Sequence, residues 1–165
     1  MENAIISLIC SILILVGTAT VTMSAISSVD KVSESWKHLD QIAQNIRKTE
    51  IAGISSQVSD NGTRVEMTIR NEGAVSIDDF EQWDVILQYE DGKAIWLPHR
   101  TSAPGWTVAD LLYGGSAEVF EPGILNPGED IKLLLEINPP VSENTTNRAI
   151  ISTANGVTAE IMFKG

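Results

Sequence analysis

Cysteine is nearly absent from the 165 residues: Cys10 stands alone, so neither an intrachain disulfide nor a cysteine-built zinc site can form. Histidine is almost as scarce, with His38 and His99 only, and a histidine-rich metal centre is not expected. Proline does not occur before Pro98, so nothing in the first half forces a helix to break. Basic residues number 11 against 22 acidic ones, a net charge of -11. That balance argues against nucleic acid as a partner, because phosphate binding needs a cationic stripe. Charge of either sign is missing altogether from Asn3 to Val29, a run of 27 residues.

What is present divides the chain in two. Residues 1–50 hold four basic and five acidic side chains, whereas residues 51–165 hold seven and seventeen. The first half of the uncharged run, Ala4 to Val16, is strongly apolar, and the second, Gly17 to Val29, interleaves Thr and Ser with Val, Met, Ala and Ile. About 20 apolar residues cross a bilayer as a helix, so a membrane-embedded helix is the first expectation. A cleaved secretory signal fits poorly, since the run lacks a basic flank and exceeds the roughly 7–15 residues of a signal core. Beyond it, Val29, Val32, Trp36, Leu39, Ile42 and Ile46 recur in steps of three and four, one face of an amphipathic helix. The spacing predicts a single helix over residues 3–49, with a stripe that packs on the chain's own domain or on neighbouring copies. Gly17 is its weak point, at about 1 kcal/mol relative to Ala. Ser7 and Ser11, Thr18 and Thr22, and Ser24 and Ser28 are spaced i, i+4, which lets apolar helices approach closely. Cys10 reads as a small hydrophobe; lipidation is the sharper alternative.

From Ile51 the hydrophobic period changes from 3.6 to 2. Strands are expected at 51–58, 63–70, 83–89, 94–97, 108–113, 131–137, 149–152 and 157–163, with hairpin turns at Asp91-Gly92 and Asn155-Gly156. Seven or eight short strands in this length read as an immunoglobulin-like β-sandwich. Its core is expected to hold Val65, Met67, Ile69, Trp83, Val85, Leu87, Leu133, Leu135, Ile137, Ile151, Ile161 and Phe163. The fold class is therefore α+β: residues 1–50 a hydrophobic-to-amphipathic helix, residues 51–165 a sandwich head.

The head carries no recognisable catalytic pattern. No GxGxxG, P-loop, GxSxG or HExxH occurs, no Ser/His/Asp triad can be nominated, and neither enzyme activity nor a cofactor is expected. Asp78, Asp79, Glu81 and Asp84 lie close in sequence, but they miss the spacing of a calcium loop and read as a solvated surface rather than a metal site. His99, between Pro98 and Arg100, reads as a loop residue. Asn61-Gly62-Thr63 and Asn144-Thr145-Thr146 match the N-glycosylation acceptor pattern, both in expected loops.

An uncharged helix (Ala4–Val29), an amphipathic continuation (Val32–Leu39) and an all-β head resemble the type IV pilin superfamily, and within it the archaellins and related archaellum proteins. The segment Val65–Gly73, a strand and its Asn-x-Gly turn, followed by Ile77–Val85 with Phe80 and Trp83, is similar to archaellum-family heads. Bacterial pilins carry a glutamate at the fifth mature position, where this chain has Ile5, which favours the archaellin side. The basic leader that family precursors lose to a membrane peptidase is not among these residues. The resemblance implies a structural subunit of an extracellular filament for motility or adhesion. It would be inserted in the cytoplasmic membrane first and then polymerised with copies of itself by archaellum-type export and assembly machinery. The filament-core contacts would come from Ile5, Ile6, Leu8, Ile9, Ile12, Leu13, Leu15, Val16, Val21, Ile26, Val29 and Trp36. The alternative within the same architecture is a single-pass, membrane-anchored stator or surface-layer-binding protein.

Overall fold

Glu2–Lys48 form one α-helix, α1, about 70 Å long at 1.5 Å per residue. The computed structural model describes residues 2–165, apart from the side chains of Glu2 and Ala4. With no proline in its length, α1 runs through Gly17 unbroken. The chain divides into two compact units, one up to Gln44 and one from Asn45 to Gly165. The switch of hydrophobic period at Ile51 marks where the strands begin, whereas the second unit begins a turn and a half earlier, because Thr49 is already buried in it.

Nine strands follow: β1 (Ile51–Ser59), β2 (Arg64–Asn71), β3 (Asp84–Gln88), β4 (Ala94–Leu97), β5 (Gly105–Tyr113), β6 (Ser116–Ala117), β7 (Asp130–Glu136), β8 (Thr146–Ser152) and β9 (Thr158–Lys164). They form two antiparallel sheets, ordered β1-β2-β7-β5-β6 and β4-β3-β8-β9. This is the expected α+β architecture, a long helix followed by an immunoglobulin-like sandwich.

Period-two alternation explains the packing. On β2, Val65, Met67 and Ile69 are fully buried and pair with Leu135, Leu133 and Ile131 of β7. Across the core, Val85 and Leu87 of β3 pair with Ile151 and Ala149 of β8. Burying each such side chain contributes about 1.5–3 kcal/mol relative to leaving it exposed. All twelve core residues expected from the alternation are buried, joined by Ile51, Ile77, Leu97, Trp106, Leu111, Leu125, Ile131, Val141, Ala149 and Ala159. The outer face of β2 and β7 carries charge instead. Arg70 donates to both Asp130 oxygens (2.7 and 3.0 Å), Arg64 to Glu136 (2.8 Å) and Lys132 to Glu66 (2.9 Å). These partners hold all three cations above their ordinary pKa values, through the hydrogen bond first and the charge second.

Candidate assembly helix and the base of the head

Every apolar residue nominated for the filament core lies on α1, and all are exposed. Ile5, Ile9, Ile12 and Val16 follow one face, while Ile6, Leu8, Leu13 and Leu15 clothe the others, so the first half of the helix is apolar all round. Val21, Ile26 and Val29 continue it at 58–70% exposure, and Trp36 is 68% exposed. In water that surface would cost about 25 cal/mol for each Å² left uncovered. The helix is long and apolar enough to cross a membrane.

The polar residues in the second half do not contradict that reading. Each hydroxyl of Ser11, Thr18, Thr20, Thr22 and Ser28 donates to the main-chain carbonyl four residues earlier, at 2.8–3.0 Å. These five hydroxyls are thereby satisfied within the helix, as a dry environment requires. Farther on, Val32, Trp36 and Leu39, with Lys31 and Ser35, line a shallow groove of about 190 Å³ on the amphipathic face. Cys10 is a free, exposed thiol on α1.

At the base of the head the chain leaving the helix is held by main-chain hydrogen bonds. Ala74 N donates to Lys48 O (2.8 Å), and Glu72 N and Gly73 N donate to Glu50 O (2.9 and 3.0 Å). The approach requires glycine at 73, where a Cβ would lie 2.5 Å from Lys48 O and 2.6 Å from Glu50 N. Asn71, fully buried, shapes this turn: its Nδ2 donates to Val75 O and Leu125 O (2.8 and 2.9 Å), and its Oδ1 accepts from Gly73 N (3.0 Å). The Asn-x-Gly signature noted in the sequence is thus the clamp on residues 48–50. Beside it, Asn155 Nδ2 donates to Thr49 Oγ1 (2.7 Å) and Thr153 Oγ1 donates to Asn155 Oδ1 (2.5 Å). Sequence reasoning gave Asn155 only a turn role and assigned none to Thr49; nothing in local spacing signals a bond between residues so far apart.

Two of the four clustered acids have separate places in the fold. Asp84 Oδ1 accepts from Trp96 Nε1 (2.9 Å), and Asp79 adopts a left-handed conformation before a short 3-10 turn at Phe80–Gln82. Among the described residues no group of three or more His, Cys, Asp or Glu is placed to hold a metal ion. His99 stacks edge-on against the buried Trp106, 4.7 Å between ring centroids. A pair of carboxyls missed in the sequence lies at the loop before β7. Glu129 is buried and accepts from Asn126 N (2.7 Å), while Glu118 Oε2 is shielded without a hydrogen-bond donor. Burial, then the neighbouring Glu129, pushes the Glu118 carboxyl above the usual range.

No protein-family model and no curated protein sequence matches the chain. Solved structures do. The archaeal flagellum of Methanospirillum hungatei strain JF1 aligns with a TM-score of 0.69 over 96% of this chain and 90% of its own, at 12% identity. The fold is that of archaellum proteins. The archaellum periplasmic stator protein FlaG of Sulfolobus acidocaldarius aligns at 0.57, with 22% identity over 70% of this chain and 99% of its own. The archaeal flagellin FlaB1 of Methanocaldococcus jannaschii aligns at 0.52, with 15% identity over 70% and 89%.

Proposed function

We propose that this chain is a structural, non-catalytic archaellum component, and specifically a filament subunit that polymerises through α1. Residues 1–50 serve first as a membrane anchor and then as filament core, and residues 51–165 form the outward, acidic head. The observation that carries this reading is α1 itself: a run of 27 uncharged residues whose large apolar side chains are exposed, with five of its hydroxyls bonded to the turn before them. Such a helix must be covered by lipid or by copies of itself. Identical head-to-tail contacts that do not close on themselves generate helical polymers. The alignment with the Methanospirillum flagellum supports it, since 96% coverage takes in helix and head together. On this reading the partners are other copies, the membrane before assembly, and archaellum-type export and assembly machinery. Nucleic acid is not among them.

The stator reading has its own support in the higher identity to FlaG, 22% against 12%. Shearing cells separates the two. A filament subunit is the bulk protein of the sheared, pelleted fibres, whereas an anchored stator stays with the membranes at low abundance. Recovery of the chain only in membranes would overturn the filament assignment and leave the anchored alternative.

A further inference from the structure

The two sheets turn different outer faces to solvent. On β2 and β7 that face is covered by ion pairs: Arg64 with Glu136, Lys132 with Glu66 and Arg70 with Asp130. On the other sheet the strand registers set Trp96 of β4 beside Ile86 of β3, and Ile86 beside Ile150 of β8. Successive side chains on a strand alternate between faces. With Val85, Leu87, Leu97, Ala149 and Ile151 buried in the core, these three residues point outward together. Trp96 is 60% exposed and Ile86 38%, and Trp96 is anchored where it lies, because its Nε1 donates to Asp84 Oδ1 (2.9 Å). A contiguous apolar row of this kind, unlike single scattered residues, marks an interaction surface.

The charges beside the row say what covers it. Along β3, Ile86 stands between Asp84 and Gln88 on the same face. Gln88 Oε1 accepts from Arg148 Nε and Nη2 (3.1 and 2.7 Å), so the row has a carboxylate on one flank and a guanidinium on the other. Arg148 also meets Glu160 at 3.3 Å. A half-turn about an axis standing on Ile86 exchanges the two flanks. It lays Ile86 against its counterpart and Trp96 of one copy over Ile150 of the other. It also brings Asp84 of each copy against the Gln88–Arg148 pair of its mate. Complementing itself under a half-turn is what a two-fold contact requires of a surface.

We propose that the outer face of β4, β3 and β8 is a self-association surface that pairs with the same face of a second copy about a two-fold axis at Ile86. The pairing is separate from the head-to-tail contacts of a helical polymer, so it does not rest on the filament reading. The sheet has four strands of at most seven residues, and its face is therefore at most about 19 by 24 Å. That is small beside the ~800 Å² that a stable complex buries on each partner. Single chains pair weakly, and the contact gains strength where many heads are arrayed on one assembly.

The test is thiol crosslinking of the full chain in detergent, in a Cys10→Ser background that leaves no native thiol. Ile86→Cys is compared with Thr68→Cys, which lies on the ion-paired face of β2. The reagent is a bis-maleimide of about 10 Å span, the spacing of stacked sheets. About 0.15 M salt screens repulsion between the acidic heads beyond about 8 Å. Ile86→Cys is expected to give covalent dimers whose yield rises with protein concentration, and Thr68→Cys far fewer. Adding Trp96→Glu should slow the Ile86→Cys crosslink about tenfold or more, the loss expected for a central aromatic anchor. Asp84→Arg and Arg148→Asp should each slow it, and the two together should restore it, a recovery that misfolding of either single variant cannot produce. Equal yields at positions 86 and 68 would mean that the chains meet at random or through α1 alone, and would overturn the proposal. Crosslinking indifferent to Trp96→Glu, or not restored by the charge exchange, would overturn the two-fold arrangement.

Discussion

The helix and the head solve opposite problems with the same residue types. In the head, Val, Leu and Ile meet one another across two sheets, and 22 apolar side chains form one buried cluster. In α1 the same side chains have no such cluster, and Ile5 to Val29 present their apolar surface outward. Polar groups invert in parallel. Head amides such as Asn71 and Asn155 bridge distant segments, whereas the bonded helix hydroxyls reach only the turn before them. The head buries its apolar side chains within one chain; the helix closes its own main-chain hydrogen bonds but leaves its apolar surface uncovered.

The largest expected effect breaks that comparison on the helix side alone. Leu13→Lys sets an unpaired ammonium in the apolar segment, which costs several kcal/mol in a dry bundle and recurs in every subunit. Filaments should disappear while the sandwich, expressed from residue 45, keeps its β-sheet circular dichroism and melting temperature. Normal fibres from Leu13→Lys cells would remove α1 from the core.

Next comes Trp36, at the border between the uncharged and amphipathic parts. If neighbouring copies bury its ring fully, Trp36→Ala should weaken the polymer by about 3–5 kcal/mol per subunit, read as earlier shear breakage and a lower depolymerisation temperature. Unchanged fibres would show the ring facing solvent and end the interface at Val29.

On the head side, Asn71→Ala removes the side-chain donor to Val75 O and one of the two partners of Leu125 O and of Gly73 N, which keep Ile77 N and Glu50 O. Leaving a buried polar group without its partner costs about 1–3 kcal/mol, so the urea unfolding free energy of the head should fall by about that much. A midpoint within error of the original would mean that water replaces the amide at the clamp.

The smallest effect is Glu118→Gln. The Glu118 pKa is raised in the fold, so its contribution is present below the ordinary carboxylate range and is lost as pH rises through the folded value. Once Glu118 ionises it faces the neighbouring Glu129, and the substitution removes that repulsion. Thermal melts should show a modest gain at pH 7 that vanishes near pH 4. A gain independent of pH would assign the effect to packing instead.

Much of this was legible before any coordinates. Absence of charge and proline reads directly as α1, found at 2–48 against the expected 3–49. Strict alternation gave β2, β7 and β9 to within a residue. Where the register shifts, the pattern failed. β5 was expected from Val108, but it starts at Gly105 and buries Trp106, because an irregularity between Val108 and Asp110 moves burial from even positions to Leu111. Ile77 and Leu125 bury each other through an isolated bridge between loops, which carries no period at all. The two-residue β6 is too short for any pattern. The base clamp was half legible: Asn71-Glu72-Gly73 was singled out as a turn, but its partners at 48–50 are set by topology.

That clamp has a mechanical consequence. β1 follows the helix directly and lies at an edge of its sheet, paired to β2 alone along its length. Antiparallel hydrogen bonds stand perpendicular to the strands, so tension drawn along β1 from Thr49 loads them in shear, all at once, rather than peeling them one by one. The bonds from residues 72–74 to Lys48 and Glu50 lie ahead of that ladder and take the first strain. A head strung on its helix in this way resists drag as a lap joint does, by spreading the force along the seam.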